Sequence, residues 1–137
     1  MISPRRIRTE DRGSAAVEVM LATPALVLLA LAAFAAYQAI SAVMVADSAA
    51  HAAARSATLQ RTAAQAETAA ASSAADITEP STTCSTHSLN TDLQGLHPGM
   101  TVHTTVTCHV DLTPLFGVTL EVAGSGAAVV DQYRGTP

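Results

Sequence analysis

Gly13-Ser14-Ala15-Ala16-Val17-Glu18 opens the stretch that decides how this chain is built, and Val19 to Ala46 completes it. After Glu18 no charged residue appears until Asp47, which leaves 28 uncharged positions. Leu21, Leu26, Val27, Leu28, Leu29, Leu31 and Phe34 lie among them, separated by alanine. A bilayer core of about 30 Å needs about 20 apolar helical residues. As a helix this run reaches about 42 Å, so it is long enough to cross a membrane and continue beyond it. Pro24 falls inside the run; membrane helices tolerate proline and kink there. Tyr37 and Gln38 come late, where an amphipathic aromatic suits a membrane interface.

Outward from this run the two flanks differ in charge. Before Ser14, Arg5, Arg6, Arg8 and Arg12 outnumber Glu10 and Asp11. After Ala46, Arg55, Arg61 and Arg134 face eight carboxylates, among them Asp47, Glu67, Asp76 and Glu121. Basic flanks stay on the cytoplasmic side, which predicts a cytoplasmic N-terminus and an exported remainder. The exported part has no basic patch, which argues against a nucleic-acid partner. The 137 residues leave about 90 beyond the arm and the span, enough for one small domain. Aromatics are 3% and Trp is absent, so its core has few large anchors. Small domains of this kind need a disulfide or partners. Cys84 and Cys108 are the two cysteines. An even count in an oxidising compartment predicts one disulfide closing a loop of about 25 residues; two buried free thiols are the alternative.

The helix is expected to continue to about residue 59. From Ser41 it turns amphipathic, with Val43, Ala46, Ala50, Ala54 and Ala57 on one stripe and Asp47, His51 and Arg55 elsewhere. So narrow a stripe of small residues either packs closely on other helices or marks a solvent-facing alanine helix. A break near Gln60 and Arg61 precedes Thr62-Ala63-Ala64-Gln65, a capping-box pattern that starts a second helix over about 63–75. Pro80 closes that helical region.

Beyond Pro80 the pattern is β. Val102, Thr104, Val106, Cys108 and Val110 alternate with Thr101, His103, Thr105, Thr107 and His109, a strict period of two. Cys108 thus points with the valines toward the core. Further strands are expected at Thr82–Leu89, with Cys84 near its start, at Val118–Ala123 and at Ala127–Tyr133. Gly124-Ser125-Gly126 reads as the turn between the last two. Three or four short antiparallel strands result, and only the preceding helices can cover one face.

Little in the chain points to catalysis. There is no nucleophile elbow, glycine-rich phosphate loop, Cys-x-x-Cys or paired-carboxylate arrangement, and Ser125 has no nameable partner. His103 and His109 share one strand face but stand about 20 Å apart. With His87 and His97 they read as scattered surface histidines rather than a metal site. No enzyme activity, cofactor or metal is expected.

The junction itself carries a signal. A basic arm, a glycine at the join and a lone carboxylate a few residues into an apolar helix resemble the class III signal of type IV pilin-like proteins. Asp11-Arg12-Gly13-Ser14-Ala15-Ala16-Val17-Glu18, then Pro24 and the Leu/Ala-rich span, resemble the TadE-like family of the tight-adherence (Tad/Flp) pilus system. Asp47-Ser48-Ala49-Ala50-His51-Ala52-Ala53-Ala54-Arg55 is similar to that family's segment after the span. Val19 departs from the Phe or Tyr common in processed members directly after the glutamate. The resemblance implies a minor pilin or pseudopilin, a membrane-anchored structural component of a pilus-assembly or secretion apparatus that supports adhesion. It implies a prepilin-type peptidase that cuts between Gly13 and Ser14, and a Glu18 that registers neighbouring subunits by pairing with the new amine of Ser14. Its partners are membrane lipid, other pilin-like subunits and the Tad assembly machinery.

The expected architecture is α+β and pilin-like: a long N-terminal transmembrane helix, a short second helix and a small antiparallel sheet with one disulfide. Residues 1–13 form a cytoplasmic basic leader, 14–46 the transmembrane helix, 47–80 an extracytoplasmic helical region and 81–137 a β-rich extracytoplasmic domain. The expected location is the bacterial cell membrane, single-pass, with entry into a surface pilus as one outcome. Two rivals stand beside this reading. One is a membrane-anchored extracellular binding module that never assembles. The other is a soluble protein secreted after cleavage at Ala33-Phe34-Ala35.

Overall fold

The computed structural model describes residues 11–94 and 96–133. Most of the basic leader, residues 1–10, lies outside these, as does Arg134. Helix α1 runs Asp11–Thr58, 48 residues, continuous through Pro24. Helix α2 is Ala63–Thr78. Strands β1 (Thr86–Asp92), β2 (Thr101–Asp111) and β3 (Thr119–Val129) follow, with one helical turn, α3 (Thr113–Phe116), between the last two. The class is therefore α+β: a long apolar helix, a short helix and a three-stranded antiparallel sheet of order β1-β2-β3. Two compact units divide the chain, one ending at Ala36 and one beginning at Tyr37.

In the first unit α1 carries no charge from Val19 onward. Every large apolar side chain from Val17 to Leu29 is more than half exposed. Thr23 donates its hydroxyl to the Val19 carbonyl at 2.7 Å, next to the Met20 carbonyl that Pro24 cannot serve.

The second unit is built on small residues. Ala42, Ala46, Ala49, Ala50, Ala53, Ala54 and Ala57 of α1 are fully buried, at three- and four-residue spacing. The stripe faces its own sheet and α2: it packs on another helix, as one alternative has it, and on the sheet as well, and it is not a solvent-facing helix. Val43, expected on the stripe, is exposed. Across it lie Val102, Val106, Cys108 and Val130, with Thr104 among them. The predicted alternation of β2 holds at all five core positions. Each buried valine contributes about 1.5–3 kcal/mol and each alanine far less. Close packing of backbones has to make up the difference.

Glycine makes that packing possible. The Gly124-Ser125-Gly126 stretch is not a turn; it lies in the middle of β3, and no separate fourth strand exists among the described residues. A Cβ on Gly124 would fall on the Ala46–Asp47 peptide, and one on Gly126 on the Ala50–His51 peptide, both closer than 3.0 Å. Only glycine lets β3 rest directly on the backbone of α1. The two contacts also set direction. Two strand residues advance about 6.6 Å, and four helix residues about 6 Å. So β3 and α1 run side by side in the same sense.

Side chains lock this seat. The Ser125 amide donates to Asp47 Oδ1 at 3.0 Å, and the Thr104 hydroxyl donates to the Ala50 carbonyl at 2.6 Å. Thr62 caps α2 by accepting from the Gln65 amide, as the motif predicts, and the helix extends to Thr78, past residue 75. Ala66, Ala70, Ala74 and Thr78 form its buried face. Ser56 joins the two helices by donating to the Ala69 carbonyl at 3.0 Å.

The first strand starts later than expected, at Thr86. Ser81 and Thr83 hold a local turn through their own hydroxyls, which keeps residues 81–84 out of the ladder. At the far end Gly99 and Val130, and Val130 and Met100, exchange backbone hydrogen bonds that close the sheet edge. The β2–β3 connection uses Pro114 in the first turn of α3 and Gly117 at φ 68° as its left-handed cap.

Candidate functional site

Three places carry the predicted site residues: the glycine junction, Glu18, and the cysteine pair. Cys84 and Cys108 form a disulfide with a Cα–Cα distance of 5.3 Å. Cys108 lies on the core face of β2, opposite His87 in the ladder, and Cys84 stands just before β1. Both are buried within the core cluster. The bridge pins the segment between α2 and β1 to the central strand. It is a structural staple with no free thiol beside it among the described residues.

Gly13 and Ser14 lie two and three residues after the start of α1, in its first turn. Glu18 lies one turn further on and is exposed. The structure thus places junction and carboxylate on consecutive turns of one helix, just ahead of the apolar run. From Ala16 to Tyr37 that run rises about 32 Å, close to the thickness of a bilayer core. It is long and apolar enough to cross a membrane, with none of its most apolar window buried by the rest of the chain.

The histidines are dispersed. His103 and His109 lie on the outer face of β2, paired with Asp92 and Thr86. His87 is bound to the end of α2: the Thr78 hydroxyl lies 3.0 Å from both the Ala74 carbonyl and His87 Nδ1. With its proton given to the carbonyl, that hydroxyl accepts from an Nδ1–H imidazole. Among the described residues, no group of three or more His, Cys, Asp or Glu is placed to hold a metal.

Sequence reasoning missed two features. The glycines of Gly124-Ser125-Gly126 suggest a turn, yet their two-residue spacing puts both on one face of a strand. The β2–β3 tip reads in the sequence only as a strand end. Leu115, Phe116, Val118 and Leu120 are all exposed there, in a stretch with no charge from Leu112 to Leu120.

No curated protein and no solved structure matches this chain. A family comparison does. The matched segment begins at the glycine junction, takes in Glu18 and the apolar run, and ends within the alanine stripe that seats the sheet. The match points to a component associated with the Tad pilus, and with the long apolar α1 it points to a membrane-anchored protein. Over residues 13–55 the chain matches the family model described as TadE-like protein.

Proposed function

We propose that this chain is a membrane-anchored structural subunit, a minor pilin or pseudopilin, of a Tad-type pilus or secretion apparatus. The observation that carries the reading is the coincidence of the family match with the order of parts on α1. The glycine junction and Glu18 occupy its first two turns, and a span of about 32 Å follows. In this reading residues 1–13 are a cytoplasmic leader, 14–46 span the membrane, and the parts beyond, 47–80 and 81–137, lie outside the cell membrane. A prepilin-type peptidase hydrolyses the Gly13–Ser14 bond, which gives a Gly13 carboxylate and a free Ser14 amine. The amine of one subunit then pairs with Glu18 of the next. In a low-dielectric helical bundle a lone carboxylate is costly, so the pair favours one axial stagger over others. The role is structural rather than catalytic, and adhesion is its downstream effect.

A second reading has one observation in its favour. The compact unit begins at Tyr37, next to Ala33-Phe34-Ala35. Signal-peptide cleavage there would release it as a soluble protein with its sheet and helical cover whole. The mature N-terminus decides between them. Intact mass and N-terminal sequencing of protein from native membranes should find Ser14. A start at Ala36 would overturn the pilus reading in favour of secretion. An intact Met1 or Ile2 would leave an uncleaved anchor whose Glu18 lacks the proposed amine.

A further inference from the structure

The geometry points to the β2–β3 tip as a second membrane contact: Leu115, Phe116 and Val118 enter the lipid interface beside the point where α1 joins the folded unit. This rests on the reading that α1 spans a membrane.

The argument starts from the direction of β3. Gly124 sits against the Ala46–Asp47 peptide, and β3 runs alongside α1 in the same sense. Five strand residues back, at Thr119, the strand has retreated about 16 Å. The same distance on a helix is about ten or eleven residues. Thr119 is therefore level with the start of the unit, near Tyr37. Burial agrees. The sheet-facing stripe is already half-covered at Gln38 and Ala39 and fully buried at Ala42. The connection formed by α3 thus lies at the Tyr37 end of the unit, the end from which the apolar run departs.

The chemistry of the tip fits lipid. Leu115 is 49% exposed, Phe116 41% and Val118 53%. Nothing from Leu112 to Leu120 is charged. Asp111, paired with Thr119, and Glu121, paired with His109, are the nearest charges on either strand and bound how deep the tip can sit. Three such side chains in water are a poor use of a domain whose core holds no aromatic residue at all. Tyr37, 65% exposed at the same level, is a residue suited to the headgroup region. The occupant is the acyl–headgroup boundary of a bilayer, not a second protein.

The chain has no tryptophan, so single-Trp variants report one position each. Full-length Leu28→Trp, Phe116→Trp, Leu115→Trp and Val129→Trp are reconstituted in phosphatidylcholine vesicles with and without bromine on the acyl chains. The expected result is strong quenching at 28, clear quenching with blue-shifted emission at 115 and 116, and none at 129, which sits at the opposite end of β3. Quenching at 28 but not at 115 or 116 overturns the tip contact and leaves the span intact. A blue shift at 116 without lipid quenching assigns the tip to a second copy and also overturns it. Equal quenching at 116 and 129 means the sheet lies flat, which overturns it too. No quenching at 28 overturns the span reading and this inference together.

Discussion

Gly126 has no room for a side chain, because the Ala50 carbonyl stands where a Cβ would project. Gly124 meets the Ala46–Asp47 peptide in the same way. These two positions decide whether the sheet can seat on its helix. Either substitution to alanine forces backbone apart over the whole seat, since no flexible side chain can yield. Gly124→Ala and Gly126→Ala should each cost about 2–3 kcal/mol or more. For a unit of this size that lowers Tm by about 10–20 °C. Thermal unfolding of the full chain in detergent, followed by circular dichroism, measures it. Ala127→Ser, exposed on the same strand, is the control and should shift Tm by no more than about 3 °C. A neutral Gly126→Ala would mean that β3 does not rest on α1.

Thr104 tests the same seat through a hydrogen bond. It is 2% exposed and points with the valines, yet its hydroxyl donates to the Ala50 carbonyl at 2.6 Å. Thr104→Val keeps the shape and removes the donor, and should cost about 1–2 kcal/mol. Thr104→Ser keeps the donor and loses one methyl, about 1 kcal/mol. The hydrogen bond itself is read from exchange. Amides around Ala50 to Ala54 should lose protection in the valine variant and keep it in the serine variant.

Much of this architecture is legible in the sequence because its signals are local. The uncharged run after Glu18, the period of two through Val102 to Val110 and the Thr62 cap each follow from neighbouring residues. The cysteine pairing follows from there being only two. The turn read at Gly124-Ser125-Gly126 fails for a different reason. Glycine marks both a tight turn and a close backbone approach, and the choice depends on Ala46 and Ala50, nearly 80 residues away. The alanine stripe has the same ambiguity, since small residues admit a helix, a sheet or water. The tip was hidden because Thr113-Pro114 announces the end of a strand and says nothing about where that end points.

The disulfide should be the largest single contribution to stability outside the glycine seat. Cys84 and Cys108 are 24 residues apart, and cross-linking a loop of that size contributes about 3 kcal/mol. Both sulfurs lie in a core otherwise made of alanine and valine, so their loss is not offset elsewhere. Reduction with dithiothreitol, or the Cys84→Ala/Cys108→Ala double variant, should lower Tm by about 15–20 °C at unchanged helix content of the span. The far-ultraviolet signal of β structure and protease resistance of residues 81–92 report the loss. Equal Tm values for oxidised and reduced protein would remove the staple from the account.

Asp111 gives the tip a pH dependence. Its carboxylate accepts from the Thr113 side chain and from the Thr113 amide, at 2.9 Å for the latter, and these hold its pKa below the usual 3.8. A lowered pKa in the folded state means the stabilisation is fully present above about 3.8 and fades as pH falls through the folded value. Carbon-detected NMR titration of Asp111 should give a midpoint below 3.8, with the Thr113 amide shift moving in step. Thr113→Ala should weaken both effects. A midpoint at or above 3.8 would mean the carboxylate does not hold the first turn of α3.

The last prediction concerns Glu18, the last charge before the uncharged run of α1 from Val19 to Ala46. It stands exposed one turn after Ser14. If its partner is the amine of a neighbouring subunit, removing the carboxylate should leave the single chain unharmed and prevent ordered addition to a filament. Glu18→Ala and Glu18→Gln should therefore keep the wild-type membrane level, the disulfide and the Tm of the folded unit. Both should lose the protein from sheared surface fractions by at least about tenfold, the scale of a 1.4 kcal/mol pairing energy. Glu18→Asp keeps the charge on a shorter stem and should retain part of the signal. Wild-type surface levels in the alanine variant would show that the carboxylate does not register subunits, and would favour an anchored module that works alone.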